Sequence, residues 1–190
     1  MISILQKPDA VITGQKVYLR PVTDEDATSE YLSWLNDPET TRYLEVQYRG
    51  GHTTTTMRSD IERYNVDESV RWYAICTKDD IHVGNIKIGS IDWNHQFGEL
   101  GILIGKSYWG KGYATEAIKL VCRHVFERYG LRRICAGYYD DNEGSRRIFA
   151  KNGFKVEGIL EGHRWSSSVE KWVDEYRVAL RNPEVSNDNG

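Results

Sequence analysis

A chain of 190 residues with 28 acidic and 25 basic side chains, a formal net charge of −3 and three cysteines is long enough for one compact domain with its own core. Charge so balanced, with no basic stripe, excludes a nucleic-acid partner held by phosphate neutralisation. No apolar run is long enough to cross a bilayer and no secretory leader stands out, so a cytoplasmic protein that engages no membrane is expected.

In chain order, residues 1–13 form a polar lead-in, expected to be loosely held, and a first strand over 17–21 ends at Pro21. Thr23 with Asp24, Glu25 and Asp26 supplies an N-cap and an acidic first turn, and Tyr31, Leu32 and Leu35 continue the helical stripe. Asp37-Pro38-Glu39 starts a second short helical piece ending near Tyr43 and Leu44. Gly50-Gly51-His52 is a connection, after which Thr53 caps a helix over 57–64. Strands over 71–77 and 81–91, joined by Lys78-Asp79-Asp80, read as a hairpin, with Ile86 and Ile88 alternating against Asn85, Lys87 and Gly89. Residues 92–97 turn the chain into an apolar strand over 99–104.

The stretch after that strand changes character. Ala114, Ala117, Ile118, Val121, Cys122, Val125, Phe126 and Tyr129 recur at helical spacing, and Gly130 supplies a left-handed stop. A strand therefore passes into a long helix through 105–112, rich in glycine and lysine. The first turn of such a helix offers unpartnered N–H groups and the positive end of its dipole. Gly110 and Gly112 let an anion approach the main chain, and Lys106 and Lys111 add positive charge. A nucleotide P-loop is set aside: Gly105-Lys106-Ser107 fits its end, but Leu100 stands where its first glycine belongs. A strand over 133–139, a helix capped by Asp141-Asn142 and stopped by Gly153, and strands over 154–159 and 172–180 around a turn at 165–170 complete the chain before a polar tail, 182–190. Cys76, Cys122 and Cys135 each sit in an apolar element without metal-ligand spacing. They read as buried thiols of a reducing cytosol, and no metal is expected.

The run Tyr108-Trp109-Gly110-Lys111-Gly112-Tyr113-Ala114-Thr115-Glu116-Ala117, with Asn142-x-x-Ser145 and Lys151-Asn152-Gly153-Phe154, resembles the acyl-coenzyme A signature of the GNAT N-acetyltransferases, specifically the RimJ/RimL-type branch. Ser107 departs from the Gln/Arg that leads the family pattern, at the loss of one side-chain contact. The resemblance, running from about Val17 to Leu180, implies a mixed α/β fold: a mostly antiparallel sheet of about seven strands flanked by helices, with the strands over 99–104 and 133–139 splayed apart. One domain over 14–181 is expected, with loose ends.

The same resemblance implies acetyl-CoA as co-substrate, its pantetheine arm along Ile102, Leu103 and Ile104 and its diphosphate on Trp109, Gly110, Lys111, Gly112, Tyr113, Ala114 and Thr115. Asn142, Ser145, Phe149 and Lys151 are further coenzyme contacts. The acceptor is a primary amine, either a protein N-terminus or a nucleotide-linked amino sugar. Because placing a neutral alkyl amine at pH 7 costs about 4–5 kcal/mol, a proton acceptor is needed. Glu99 is the best candidate, with pairing to a nearby Arg or Lys as its plain alternative; Glu161 and His163 are rivals, His95 and Asp92 weaker ones. A main-chain N–H near Leu103 is the expected oxyanion donor. Phe149 occupies the place of the tyrosine that many members use as general acid, so Ser145 is the nearest substitute, or else a helix cap or pantetheine contact. Trp34 and Tyr43 are candidates to touch substrate or to pack in the core, and Glu161 is a further candidate to touch substrate. Dimerisation is common in the family, so a homodimer is an open expectation. A non-catalytic acyl-CoA sensor is the alternative from another class.

Overall fold

The computed structural model describes residues 11–166 and 169–185. Eight strands form one sheet among the described residues: β1 (Ile12–Thr13), β2 (Val17–Pro21), β3 (Arg71–Thr77), β4 (His82–Asp92), β5 (Phe97–Ile104), β6 (Arg133–Tyr139), β7 (Lys155–Ser166) and β8 (Lys171–Arg181). Their spatial order is β1-β2-β3-β4-β5-β6-β8-β7. Every neighbouring pair is antiparallel except β5 with β6. A parallel pair needs a crossover, and the helix α4 (Tyr113–Tyr129) provides it. The other helices are α1 (Ser29–Asn36), α2 (Pro38–Thr41), α3 (Thr54–Val66) and α5 (Glu143–Lys151).

Strand alternation distributes the core to both faces of the sheet. On β3, Tyr73 and Ile75 point to the α4 side and join Val17, Leu19, Ile86, Ile88, Leu100, Ile118, Val121 and Ile134. Ala74 and Cys76 point the other way, where Val22, Tyr31, Trp34, Met57 and Ile61 bury the inner faces of α1 and α3. The sheet is thus a wall with helices on both sides.

That wall opens along one line. β5 and β6 pair only at Phe97↔Arg133, Gly98↔Ile134 and Glu99↔Cys135. Beyond Glu99, β5 continues to Ile104 paired with β4 alone, and beyond Cys135, β6 continues to Tyr139 paired with β8 alone. The strands part at Glu99, and among the described residues neither has a strand partner on its inner side past the fork.

Several expectations need correction. The sheet has an eighth strand because β1 lies inside the segment expected to be loose: Ile12 pairs with Leu19 and is buried. At the other end Asn182, expected in the tail, is buried and bonds the main chain of Leu131 and Arg132. The packed unit is wider than 14–181; residues 1–10 and 186–190 lie outside the described residues. The first helical stripe is broken in two, a 3-10 turn over Asp24–Asp26 and then α1, capped by Thr28 rather than Thr23. Asp26 turns back instead, accepting from both terminal nitrogens of Arg20 (2.6 and 2.8 Å) and from the Thr23 N–H (2.8 Å). β7 runs on to Ser166, beyond the expected 159. Its apolar pattern fails at Glu161-Gly162-His163 because the strand bulges there, with Gly162 at φ 53°. Of the turn expected at 165–170, residues 167–168 lie outside the described residues. Cys76 and Cys122 are buried, whereas Cys135 is half-buried at the fork.

Candidate active site

On the coenzyme side the site is made of main chain. After β5 the chain makes a 3-10 turn over Lys106–Tyr108, with the Tyr108 N–H on the Gly105 carbonyl (2.8 Å) and the Trp109 N–H on the Lys106 carbonyl (3.2 Å). The Trp109 indole N–H donates to the Ile104 carbonyl (2.7 Å), so that carbonyl is already engaged. Gly110 and Gly112 take φ of 76° and 84°, which only glycine adopts without strain. Gly112 caps α4 and brings no side chain to its free N–H groups; the first helical bond runs from Glu116 N–H to the Gly112 carbonyl. The amides of Tyr113, Ala114 and Thr115 therefore precede the intrahelical ladder, and nothing lies within 4 Å of where a Cβ on Gly110 would stand. A bare helix start behind two left-handed glycines fits a diphosphate. Lys111 is exposed beside it. Lys106, by contrast, pairs with Glu39 of α2, which raises its pKa and commits its charge elsewhere.

The remaining coenzyme candidates divide. Ile102 and Ile104 pack on the main core and Leu103 on the second cluster, each half-buried along the open edge of β5. Asn142 is the N-cap of α5, its Oδ1 accepting from the Ser145 N–H at 3.0 Å, and Ser145 is half-buried; Lys151 is exposed at the far end of that helix. Phe149 is a core residue, 4% exposed between Tyr138 and Phe154, and offers no surface to a coenzyme. Trp34 is likewise buried, its ring edge-on to His82 and Tyr108. A Cβ on Gly105 would come within 2.5 Å of its indole, so Trp34 props the loop from beneath instead of facing an acceptor.

On the opposite face the site is made of charge. Glu99, at the apex of the fork and exposed, pairs with Arg177 of β8. Arg177 also reaches Glu175 (3.0 Å), Glu175 meets Arg164 of β7 (2.6 Å), and Arg164 meets Glu45 (2.5 Å) in the 3-10 turn over Glu45–Arg49. Glu175 is 4% exposed. Burial pushes its pKa up, but the two guanidiniums outweigh that and hold it below the usual carboxylate range. Gly137 makes room: a Cβ there would stand 2.6 Å from Glu175 Oε1. Tyr43 is half-buried, donating to the Asp141 carbonyl (3.1 Å) with its ring edge on Tyr139. Glu161 is exposed on the β7 bulge, and His163 Nε2 lies 3.5 Å from Glu175 Oε2. Asp92 and His95 pair with each other in the turn before β5 (2.9 Å).

The geometry brings Glu99, the open edge of β5 and the glycine cradle to one fork, and it adds Arg177, Glu175 and Arg164, which no sequence motif indicated. Only the register of β8 against β6, Arg177↔Gly137 and Glu175↔Tyr139, turns those charges inward. Among the described residues no cluster of three or more His, Cys, Asp or Glu side chains could hold a metal ion, and no helix is long and apolar enough to cross a membrane.

A parallel strand pair parts beside a bare helix N-terminus, the arrangement that the resemblance to the GNAT N-acetyltransferases implies. Residues 16–155 match the family described as acetyltransferase (GNAT) domain, and the chain belongs to that family. It is 28% identical over 170 residues to the uncharacterized N-acetyltransferase YoaA of Bacillus subtilis, covering 88% of this chain and 96% of that one. It is 30% identical over 151 residues to spermidine N(1)-acetyltransferase of Escherichia coli, covering 78% and 77%. Among solved structures, the ribosomal-protein-S5-alanine acetyltransferase of Vibrio fischeri superposes with a TM-score of 0.80 at 17% identity, over 94% of this chain and all of that one. The RimL ribosomal L7/L12 acetyltransferase in complex with coenzyme A gives 0.80 at 16% identity, over 90% and 98%. The chain is an acetyl-CoA-dependent N-acetyltransferase.

Proposed function

We propose that the chain transfers acetyl from acetyl-CoA directly to a primary amine in a ternary complex, with Glu99 as the proton acceptor. The acceptor is a protein N-terminus or a small-molecule amine such as a nucleotide-linked amino sugar. One observation carries the catalytic part: Glu99 stands where β5 and β6 separate, so a thioester lying in the gap and an amine arriving from the α1 and α3 side meet beside its carboxylate. Arg177 pairs with that carboxylate across the fork and holds it in place before the acceptor arrives. An incoming ammonium competes with Arg177 for Glu99, delivers its proton there directly or through one water, and attacks as the neutral amine.

The coenzyme supplies an activated acetyl thioester. Around it, in this reading, a main-chain N–H neighbouring Leu103 serves the oxyanion, the first-turn amides of α4 with Gly110, Lys111 and Gly112 serve the diphosphate, and Ser145 serves the departing thiolate. Tyr43 supports the acceptor wall through Asp141. The names of the relatives span a polyamine and ribosomal proteins as acceptors, which supports the amine class and leaves its member to experiment. Cytoplasmic residence is part of this reading, supported by three free cysteines. So is a homodimer, supported by the edge strand β7, which leaves Val156, Ile159 and Leu160 exposed; a single monomeric species in sedimentation velocity rejects it.

The test is coenzyme A release from acetyl-CoA over peptide amines, polyamines, aminoglycosides and amino sugars, for wild type, Glu99→Gln and Glu161→Gln. Glu99→Gln is expected to lower kcat on the best acceptor by about 100-fold with coenzyme A affinity unchanged. A loss seen with Glu161→Gln and not with Glu99→Gln moves the base to β7. Tight coenzyme binding with no turnover on any amine overturns the transferase reading.

A further inference from the structure

The coenzyme cradle has a neighbour outside its own stretch of chain. β1 and β2 are joined by the turn Gly14-Gln15-Lys16, closed by the Gly14 N–H on the Val17 carbonyl (2.9 Å). Glu116, in the first turn of α4, accepts the main-chain N–H groups of Gln15 (2.5 Å) and Lys16 (2.8 Å). A Cβ on Gly14 would lie 2.6 Å from Glu116 Oε1 and 2.8 Å from Leu120 Cδ1, so only glycine lets the turn seat against the helix.

This docking delivers the Lys16 ammonium to the glycine turn. Its Nζ donates to the Lys111 carbonyl at 3.1 Å and stands 3.2 Å from where a Cβ on Gly112 would be. The start of a 17-residue helix is a positive pole and Lys111 is adjacent, so the Lys16 ammonium adds a third positive element there, only partly offset by the Glu116 carboxylate that its own main chain already engages. An ammonium has three donors, and the Lys111 carbonyl occupies one.

We propose that Lys16 is a coenzyme-binding residue: its ammonium grips the diphosphate of acetyl-CoA together with the Gly110–Gly112 turn. Glu116 is the positioning residue that straps Lys16 in place through its main chain. The inference rests on 105–115 being the diphosphate cradle and gives that cradle a second arm from 95 residues earlier in the chain.

Isothermal titration with coenzyme A and with dephospho-coenzyme A, which keeps the diphosphate and lacks the 3′-phosphate, tests it. Wild-type affinity for coenzyme A checks the cradle independently. Lys16→Gln, a change at an exposed side chain, is expected to weaken both ligands by about tenfold, the loss shrinking at high salt, while Lys16→Arg retains most of the affinity. In a double-variant cycle, Glu116→Gln is expected to cost little once Lys16 is Gln. Wild-type affinity in Lys16→Gln overturns the proposal. A loss confined to coenzyme A overturns the diphosphate assignment, and fully additive losses overturn the strap.

Discussion

The two sides of β5 solve recognition by different means. Toward α4 the chain offers main-chain amides and two left-handed glycines within a few consecutive residues, a surface suited to a ligand part that never varies. Toward α1 and α3 it offers an alternating row, Glu99, Arg177, Glu175, Arg164 and Glu45, drawn from β5, β8, β7 and a distant turn. Main-chain recognition tolerates side-chain drift, whereas a row of ion pairs depends on every member. The difference teaches that the coenzyme half is a local device and the acceptor half a tertiary one.

The sharpest way to break the comparison is at Glu175. Glu175→Ala leaves Arg164 and Arg177 without their shared buried partner, and a loss of about 3 kcal/mol in urea denaturation is expected, with acceptor KM raised. Cα-to-side-chain crowding gives the next effect. Gly137→Ala drives a methyl against Glu175 Oε1 and is expected to cost about 2 kcal/mol. Gly101→Ala is the control: no atom lies within 4 Å of its Cβ, and a change within about 0.5 kcal/mol is expected in the same titration. Equal losses at the two glycines would dissolve the claim that the acceptor face is packed around its charges.

The same contrast explains what the sequence made legible. Gly110, Gly112 and the helix through Gly130 were readable because glycine spacing and apolar periodicity are local signals that the fold keeps. The fork was implied by resemblance, since nothing in the residues of β5 and β6 says where two strands stop pairing. Glu175 and Arg177 were hidden because alternating charge on a strand reads as a solvated face until register shows which way it points. The break at Ala27 was hidden because Asp26 looks like a first-turn acid until Arg20 captures it. Lys16 was hidden because a polar turn residue carries no mark of the helix it touches. Phe149 and Trp34 show the converse, aromatic residues beside a motif that burial assigns to the core.

A smaller effect sharpens the coenzyme side. Gly112→Ala must hold φ near 84° with a methyl 3.2 Å from Lys16 Nζ, which costs about 1 kcal/mol and is expected to show as weaker coenzyme A binding with little change in acceptor KM. Weakened acceptor binding in that variant would mean that the two halves are not separable.

The smallest effect concerns what lies beneath both halves. His82 is packed edge-on to Tyr31 and Trp34, with Nε2 2.9 Å from the Gly84 carbonyl and Nδ1 3.8 Å from Asp26. Burial lowers its pKa, and the neighbouring Asp26 carboxylate only partly opposes that. The folded protein thus keeps His82 neutral at a pH where the unfolded chain, titrating near 6.5, takes up a proton. The unfolded state binds more protons below that value, so this contribution is complete above about 6.5 and is lost as pH falls beneath it. Melting temperature should decline from pH 7.5 to 5.5 in wild type, and the decline should be shallower in His82→Gln. Because Trp34 supports Gly105 from this cluster, the same acidification should loosen coenzyme A binding in wild type more than in the variant; identical slopes in both would detach the cradle from the histidine below it.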